Sequence, residues 1–216
     1  VNSSFYGFPN RITTVTHAIV ILGFNTIKSI VLSSSIFDVF KKGASSGFDR
    51  QEFWKHSIGC GAISRMIARR LGFPAPEEVF IAGLLHDIGK IVMDQYAHDR
   101  FMEVLQQTRA RDCLLVQAES DLLGVTHAEV GAWLFDKWNL SKGLVETTRC
   151  HHNPALATEN SRTAAIVHVS DIFARAIRFG NVGDNKVPAL RESAWKQLNL
   201  APNQFATLRK DSGEEI

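Results

Sequence analysis

Apolar residues recur at helical spacing along most of the chain. Thr14 to Leu22 carries Val15, Ala18, Ile19 and Leu22 on one helix face, and Gly23 ends the run. Asn25 can cap a second helix that groups Ile27, Ile30, Val31 and Ser34 and runs toward Phe40. Gly43-Ala44-Ser45-Ser46-Gly47 is the strongest break and reads as a link between lobes. From Asp49 a long helix aligns Phe53, Ser57, Cys60, Ile63, Ile67 and Leu71. Pro76, with Glu77 and Glu78 in the first turn, opens a helix that the pattern continues through His86 to about Tyr96. Further helices are predicted over 99–108 and from the capping box Thr126-His127-Ala128-Glu129 to Trp138. Others run from Ser141 to short of Pro154, from Ser161 or Arg162 to Phe179, and over 187–198 and 202–208. No stretch alternates at period two, so the predicted fold class is all-α. The expected division is a helical lobe over 1–45, a helical core over 46–200 and a C-terminal helix or tail over 201–216.

Composition narrows the function classes. The 216 residues include 24 Lys+Arg against 22 Asp+Glu, a net charge of +2 that argues for neither DNA nor a polybasic membrane contact. A hydrophobic fraction of 45% with 21% charged residues excludes a disordered chain. The three cysteines, Cys60, Cys113 and Cys150, lie far apart with no CxxC pair, which fits a reducing cytoplasm. No apolar run approaches the roughly 18–20 residues a membrane span requires, so no membrane insertion is expected. Val1-Asn2-Ser3-Ser4-Phe5 reads as the interior of a longer chain.

The candidate chemistry lies in histidines and acids set in apolar helices. His86-Asp87 interrupts Phe80-Ile81-Ala82-Gly83-Leu84-Leu85 and Ile88-Gly89, where a charged carboxylate is costly unless paired or bound to a cation. Either Asp87 pairs with a buried Arg or Lys, or the dipeptide faces a metal. Glu52 and His56, four apart, share one helix face. His127 opens a capped helix whose positive end disfavours a cation, so a neutral, ligating imidazole is expected there. His151-His152 closes a helix before Pro154, and Asp171 is a second acid within an apolar helix. Lys90, one turn beyond His86, either meets a phosphate as a point charge or faces solvent. His168 reads as a core histidine, His17 and His98 as surface residues, and Trp133, Phe135 and Trp138 as core.

The ordered set His56, His86-Asp87, His127, His151-His152 and Asp171 resembles the ligand series of HD-domain metal-dependent phosphohydrolases. It is similar in particular to the HD-GYP branch, which adds a glutamate matched here by Glu52. Asn2-Ser3-Ser4-Phe5-Tyr6-Gly7, followed by Ile12-Thr13-Thr14-Val15 and Leu22-Gly23, resembles the HDOD signalling domain of bacteria. The resemblance covers nearly all of residues 1–200. It implies an HD-like helical bundle with an additional N-terminal helical lobe. It also implies one metal on His56, His86, Asp87 and Asp171, and a second on Asp87, His127 and His151, His152 or both. Glu52 would serve that cluster or a third ion, and Asp87 and Lys90 would be the catalytic pair if the domain is an enzyme. The ions would be divalent transition metals, Fe or Mn first, with Zn, Co or Ni as alternatives. HDOD domains are usually regarded as regulatory modules that have lost ligands, whereas this set is full. No Gly-Tyr-Pro tripeptide occurs, so cyclic di-GMP specificity does not carry over. Three functions follow as expectations: a regulatory domain contacting signalling proteins or fused signalling domains, a nucleotide or cyclic-dinucleotide phosphohydrolase, and a metal-free scaffold.

Overall fold

A computed structural model of the chain describes residues 12–24, 27, 31 and 47–199. The fold is all-α, with no strand among the described residues. The chain divides into two compact units, Val1–Lys41 and Lys42–Ile216. In the first, α1 (Val15–Leu22) starts where the Thr14 hydroxyl accepts the His17 N–H and ends at Gly23. The helices predicted over 25–40 and 202–208 lie almost wholly outside the described residues.

The second unit carries the remaining helices: α2 (Arg50–Arg70), α3 (Pro76–Leu85), α4 (Ile88–Tyr96) and α5 (His98–Arg111). They are followed by α6 (Leu115–Leu123), α7 (His127–Lys137), α8 (Lys142–Cys150), a 3-10 turn at Pro154–Leu156, α9 (Ser161–Ala176) and α10 (Glu192–Leu198). Asp49 caps α2 by accepting the N–H groups of Gln51 and Glu52, and the Thr126–Glu129 box opens α7 as predicted. One face of α2 packs with α3, α9 and α10 around Ile63, Ile67, Val79, Ile166, Val169, Phe173 and Leu198. Each such side chain, once buried, contributes about 1.5–3 kcal/mol. None of the described helices is long and apolar enough to cross a membrane.

Two departures from the predicted helices bear on the site. The helix expected to run unbroken from Pro76 to Tyr96 stops at Leu85 and restarts at Ile88. Asp87 sits between, with φ −99° and ψ 8°. Packing explains the break: a Cβ on Gly89 would collide with the carbonyl oxygen of His127, so α4 meets the start of α7 backbone to backbone. That approach needs a redirected chain, and only glycine fits there. The second departure is α6, absent from the sequence reading because Glu119 sits on its buried face beside Leu115 and Ala118. A lesser one is α9, which ends at Ala176 instead of Phe179. Arg178 turns left-handed (φ 58°), and the Phe179 N–H returns to the Ala174 carbonyl. Gly180 follows at φ 77°, pressed on the α2 backbone at Glu52 and His56, and the Asn181 N–H donates to the Glu52 carbonyl.

Glu146 of α8 fixes the start of α9. Its carboxylate accepts from the Thr158 N–H (2.7 Å) and hydroxyl (2.8 Å) and from the Asn160 N–H (2.7 Å) and side-chain amide (2.9 Å). Burial works against the charged form, but these donors win and bring the carboxyl down to about 2. A carboxyl depressed in the fold stabilises it above its unfolded value of about 4.3, and that contribution is lost as pH falls toward 2. Glu146→Gln is therefore expected to cost about 1–3 kcal/mol at neutral pH. Urea midpoints of the two proteins should converge between about pH 4.5 and pH 2. A gap that persists through that range would show that the carboxylate charge is not what holds the loop.

Candidate metal centre

The break between α3 and α4 puts His86 and Asp87 at the meeting point of α2, α7, α8 and α9. Three of the histidines there are oriented by their outer nitrogen. His86 Nδ1 lies 2.7 Å from the Gly83 carbonyl and His151 Nδ1 lies 2.7 Å from the Thr148 carbonyl. A carbonyl only accepts, so Nδ1 carries a hydrogen, and the neutral ring presents its Nε2 lone pair inward. His127 Nδ1 lies 2.6 Å from Glu119 Oε2, and the same oxygen accepts the His127 backbone N–H. A carboxylate behind a histidine is the usual support of a metal-bound imidazole.

The inward atoms form two groups that could hold metal ions, His56 with His86 and Asp171, and Asp87 with His127, His151 and His152. Within each group the donor atoms lie within 4.8 Å of one another. In the first, Asp171 Oδ1 stands 3.1 Å from His56 Nε2 and 3.9 Å from His86 Nε2. In the second, Asp87 Oδ1 stands 3.0 Å from His127 Nε2 and 3.6 Å from His151 Nε2, while His152 Nε2 lies 2.9 Å from His127 Nε2. Asp87 joins the groups, since its other oxygen is 3.4 Å from His86 Nε2. All these side chains are buried except His152, which is half-buried. Both nitrogens of His56, Nε2 of His86 and of His151, and Oδ1 of Asp87 have no hydrogen-bond partner. Buried polar atoms are rarely left so, and converging imidazole nitrogens and carboxylate oxygens are a donor set that fits a divalent transition metal.

Two cations serve the carboxylates. Lys90 Nζ lies 2.6 Å from Asp87 Oδ2. Arg175 Nε lies 2.8 Å from Asp171 Oδ1, while its Nη1 reaches Asp184 at 2.9 Å. Burial disfavours both carboxylates, yet His86 and Lys90 hold Asp87 well below its ordinary range, and Arg175 does the same for Asp171. Burial lowers His56, lowers His151 to about 4 and, with its neighbours His151 and His127, takes His152 well down, so these imidazoles are neutral at pH 7. Burial also opposes a charge on His86, but Asp87 outweighs it and raises the group. At His127 burial favours a neutral ring, while the Glu119 carboxylate acts against it and raises the group.

Of the sequence-derived candidates, His56, His86, Asp87, His127, His151, His152 and Asp171 come together. Glu52 does not. It is half-buried, lies in neither group, and its carboxylate accepts from Lys55 at 3.4 Å. Lys90 is neither solvent-facing nor free for a phosphate, because it is fully buried on Asp87. His168 donates to the His151 carbonyl and accepts from the Arg191 N–H, so both its nitrogens are satisfied away from the groups. His17 is exposed, and His98 reaches Asp94 at 3.1 Å. Phe135 is buried, but Trp133 and Trp138, read as core, are 57% and 40% exposed. Sequence reasoning missed Glu119 and Arg175. For Arg175 the signal was its position four residues after Asp171. For Glu119 it was an acid on the apolar stripe of α6.

A family model for the HDOD domain matches residues 1–154, which leaves Asp171 beyond the match. The crystal structure of an HDOD domain protein with unknown function from Geobacter sulfurreducens is similar at a TM-score of 0.75 and 26% identity, covering 100% of this chain and 79% of that one. A putative phosphohydrolase from Shewanella amazonensis is similar at a TM-score of 0.67 and 25% identity, covering 94% and 73%. An uncharacterised protein of Treponema pallidum is 26% identical over 160 residues, 74% of this chain. The chain spans 31% of that protein's length.

Proposed function

The chain belongs to the HDOD family, and on that premise we propose that it is a regulatory signalling domain that holds two divalent metal ions in its His/Asp cluster. The first ion takes His56, His86, Asp171 and Asp87, and the second takes Asp87, His127, His151 and His152. One observation carries the reading: two converging sets of imidazoles share Asp87, and several of their inward atoms, Nε2 of His56, His86 and His151 and Oδ1 of Asp87, have no hydrogen-bond partner within the protein. Imidazole and carboxylate donors suit Fe and Mn, with Zn, Co or Ni as further candidates. The partners on this reading are signalling proteins or signalling domains of the same polypeptide, in the cytoplasm.

A second reading, a phosphohydrolase acting on a nucleotide or cyclic dinucleotide, draws on the full ligand set and on the similarity to the putative phosphohydrolase of Shewanella amazonensis. Bound ions would supply an activated water and a clamp for a phosphoryl oxygen. Lys90 is committed to Asp87, which removes the one phosphate-facing cation that the sequence suggested and favours the regulatory reading. Elemental analysis of protein purified without added metal, followed by turnover of a phosphodiester panel, decides among these. Bound metal, one ion per chain or more, with no turnover is the expected result. Turnover would move the assignment to the phosphohydrolase, and a metal-free, metal-indifferent protein to a scaffold.

Glu119 offers a milder test. Glu119→Gln keeps the side chain's shape but removes the charge that orients His127, and is expected to weaken metal binding by about 10–100-fold. Competition against a chromogenic chelator measures it. An unchanged affinity would place Glu119 outside the metal's support.

A further inference from the structure

We infer that the two metal positions are unequal: the one formed by Asp87, His127, His151 and His152 fills first and tightly, and the one formed by His56, His86 and Asp171 fills weakly and second. The inference rests on the metal-binding reading above and concerns what surrounds each position.

The argument turns on individual carboxylate oxygens. At the weaker position, the oxygen facing both His56 and His86 is Asp171 Oδ1, and that atom already accepts from Arg175 Nε at 2.8 Å. The other oxygen within reach of His86 is Asp87 Oδ2, and it holds Lys90 Nζ at 2.6 Å. Both of these carboxylate oxygens thus carry a cation. A divalent ion entering there must displace these contacts or share the oxygens with two buried positive charges, in surroundings where water screens little. Arg175 is held further by Asp184, so it does not swing aside without breaking a second ion pair.

The tighter position differs in its carboxylate oxygen and in the charge behind its histidine. Asp87 Oδ1 faces His127 and His151 and accepts no hydrogen bond. The charge behind its histidine is negative, because Glu119 backs His127 at 2.6 Å. Lys90 and Arg175 act here as positioning residues, and they make the domain a one-ion protein at low metal and a two-ion protein only at high metal.

The test is equilibrium dialysis of the whole chain against graded Mn²⁺, read by elemental analysis and by the electron spin resonance of lone against coupled Mn²⁺. Wild type should bind one ion at least about tenfold more tightly than the second. His56→Ala should abolish the weak step and leave the tight one, whereas His152→Ala should weaken the tight step. Lys90→Met should strengthen the second step, and the two histidine variants decide the matter should that variant fail to fold. Two equal steps, or loss of the tight step in His56→Ala, would overturn the ordering while leaving metal binding intact. No Mn²⁺ bound at any concentration would instead remove the metal-binding reading itself, and the ordering with it.

Discussion

Replacing Asp87 by alanine is expected to leave less than about a tenth of the wild-type metal and to lower the melting temperature more than any other single substitution in the site. Both effects come from the same carboxylate. One oxygen faces Nε2 of His127 and of His151, the other stands between His86 and Lys90, and Asp87 is the one carboxylate in its group. Its loss also strands the Lys90 ammonium, which is fully buried. An uncompensated buried charge of this kind costs about 3–5 kcal/mol. At about 2–4 °C per kcal/mol for a domain of this size, that is roughly 6–20 °C. The double variant Asp87→Ala/Lys90→Met separates the causes, because it removes the stranded charge without restoring a ligand. It should recover most of the melting temperature and none of the metal. Elemental analysis beside a thermal melt reads both at once. A double variant that regained its metal, or a single variant that never lost it, would show that Asp87 is only the partner of Lys90.

Those two roles of Asp87 also show what the sequence could and could not reveal. A histidine or acid inside an apolar helical run is anomalous on its own, because burial of a polar group is costly. His86, Asp87 and Asp171 were legible for that reason, His56, His127, His151 and His152 through the resemblance to the HD ligand series, and the structure gathers all of them. The helical character was legible through periodicity alone. What stayed hidden depends on packing between distant segments. Nothing local to Lys90 says whether it meets solvent or Asp87. The His86-Asp87 break is set by Gly89 against the His127 carbonyl, a contact with a residue from another helix. Glu119, eight residues upstream of His127 on a helix the periodicity did not reveal, sits 2.6 Å from its ring and was hidden for the same reason. Glu52 misled for the converse reason: four-residue spacing puts it on the His56 face of α2, but near the start of that helix, where its carboxylate meets Lys55 instead of the core.

Removing the metal should lower stability without dissolving the fold. Helices α2, α3, α9 and α10 are held by the cluster around Ile63, Ile67, Ile166 and Phe173, which includes none of the ligands, so a chelated protein is expected to keep its helical circular dichroism. The ligand rings are also pre-oriented by Gly83, Thr148 and Glu119, bonds that do not depend on an ion. What an ion adds is a partner for atoms that otherwise have none, including Nε2 of His86 and of His151 and Oδ1 of Asp87. Binding to the folded state alone stabilises by about 2.7 kcal/mol at a hundredfold excess over the dissociation constant and about 4.1 kcal/mol at a thousandfold. The melting temperature should therefore rise by roughly 5–16 °C from chelated to metal-replete protein. Each further tenfold increase in free metal should add about 1.4 kcal/mol while one site governs the response. A scan of melting temperature against buffered Mn²⁺ and Zn²⁺ gives the curve directly. A flat line across three decades of both ions, with helicity unchanged, would mean that these imidazoles converge on nothing but one another.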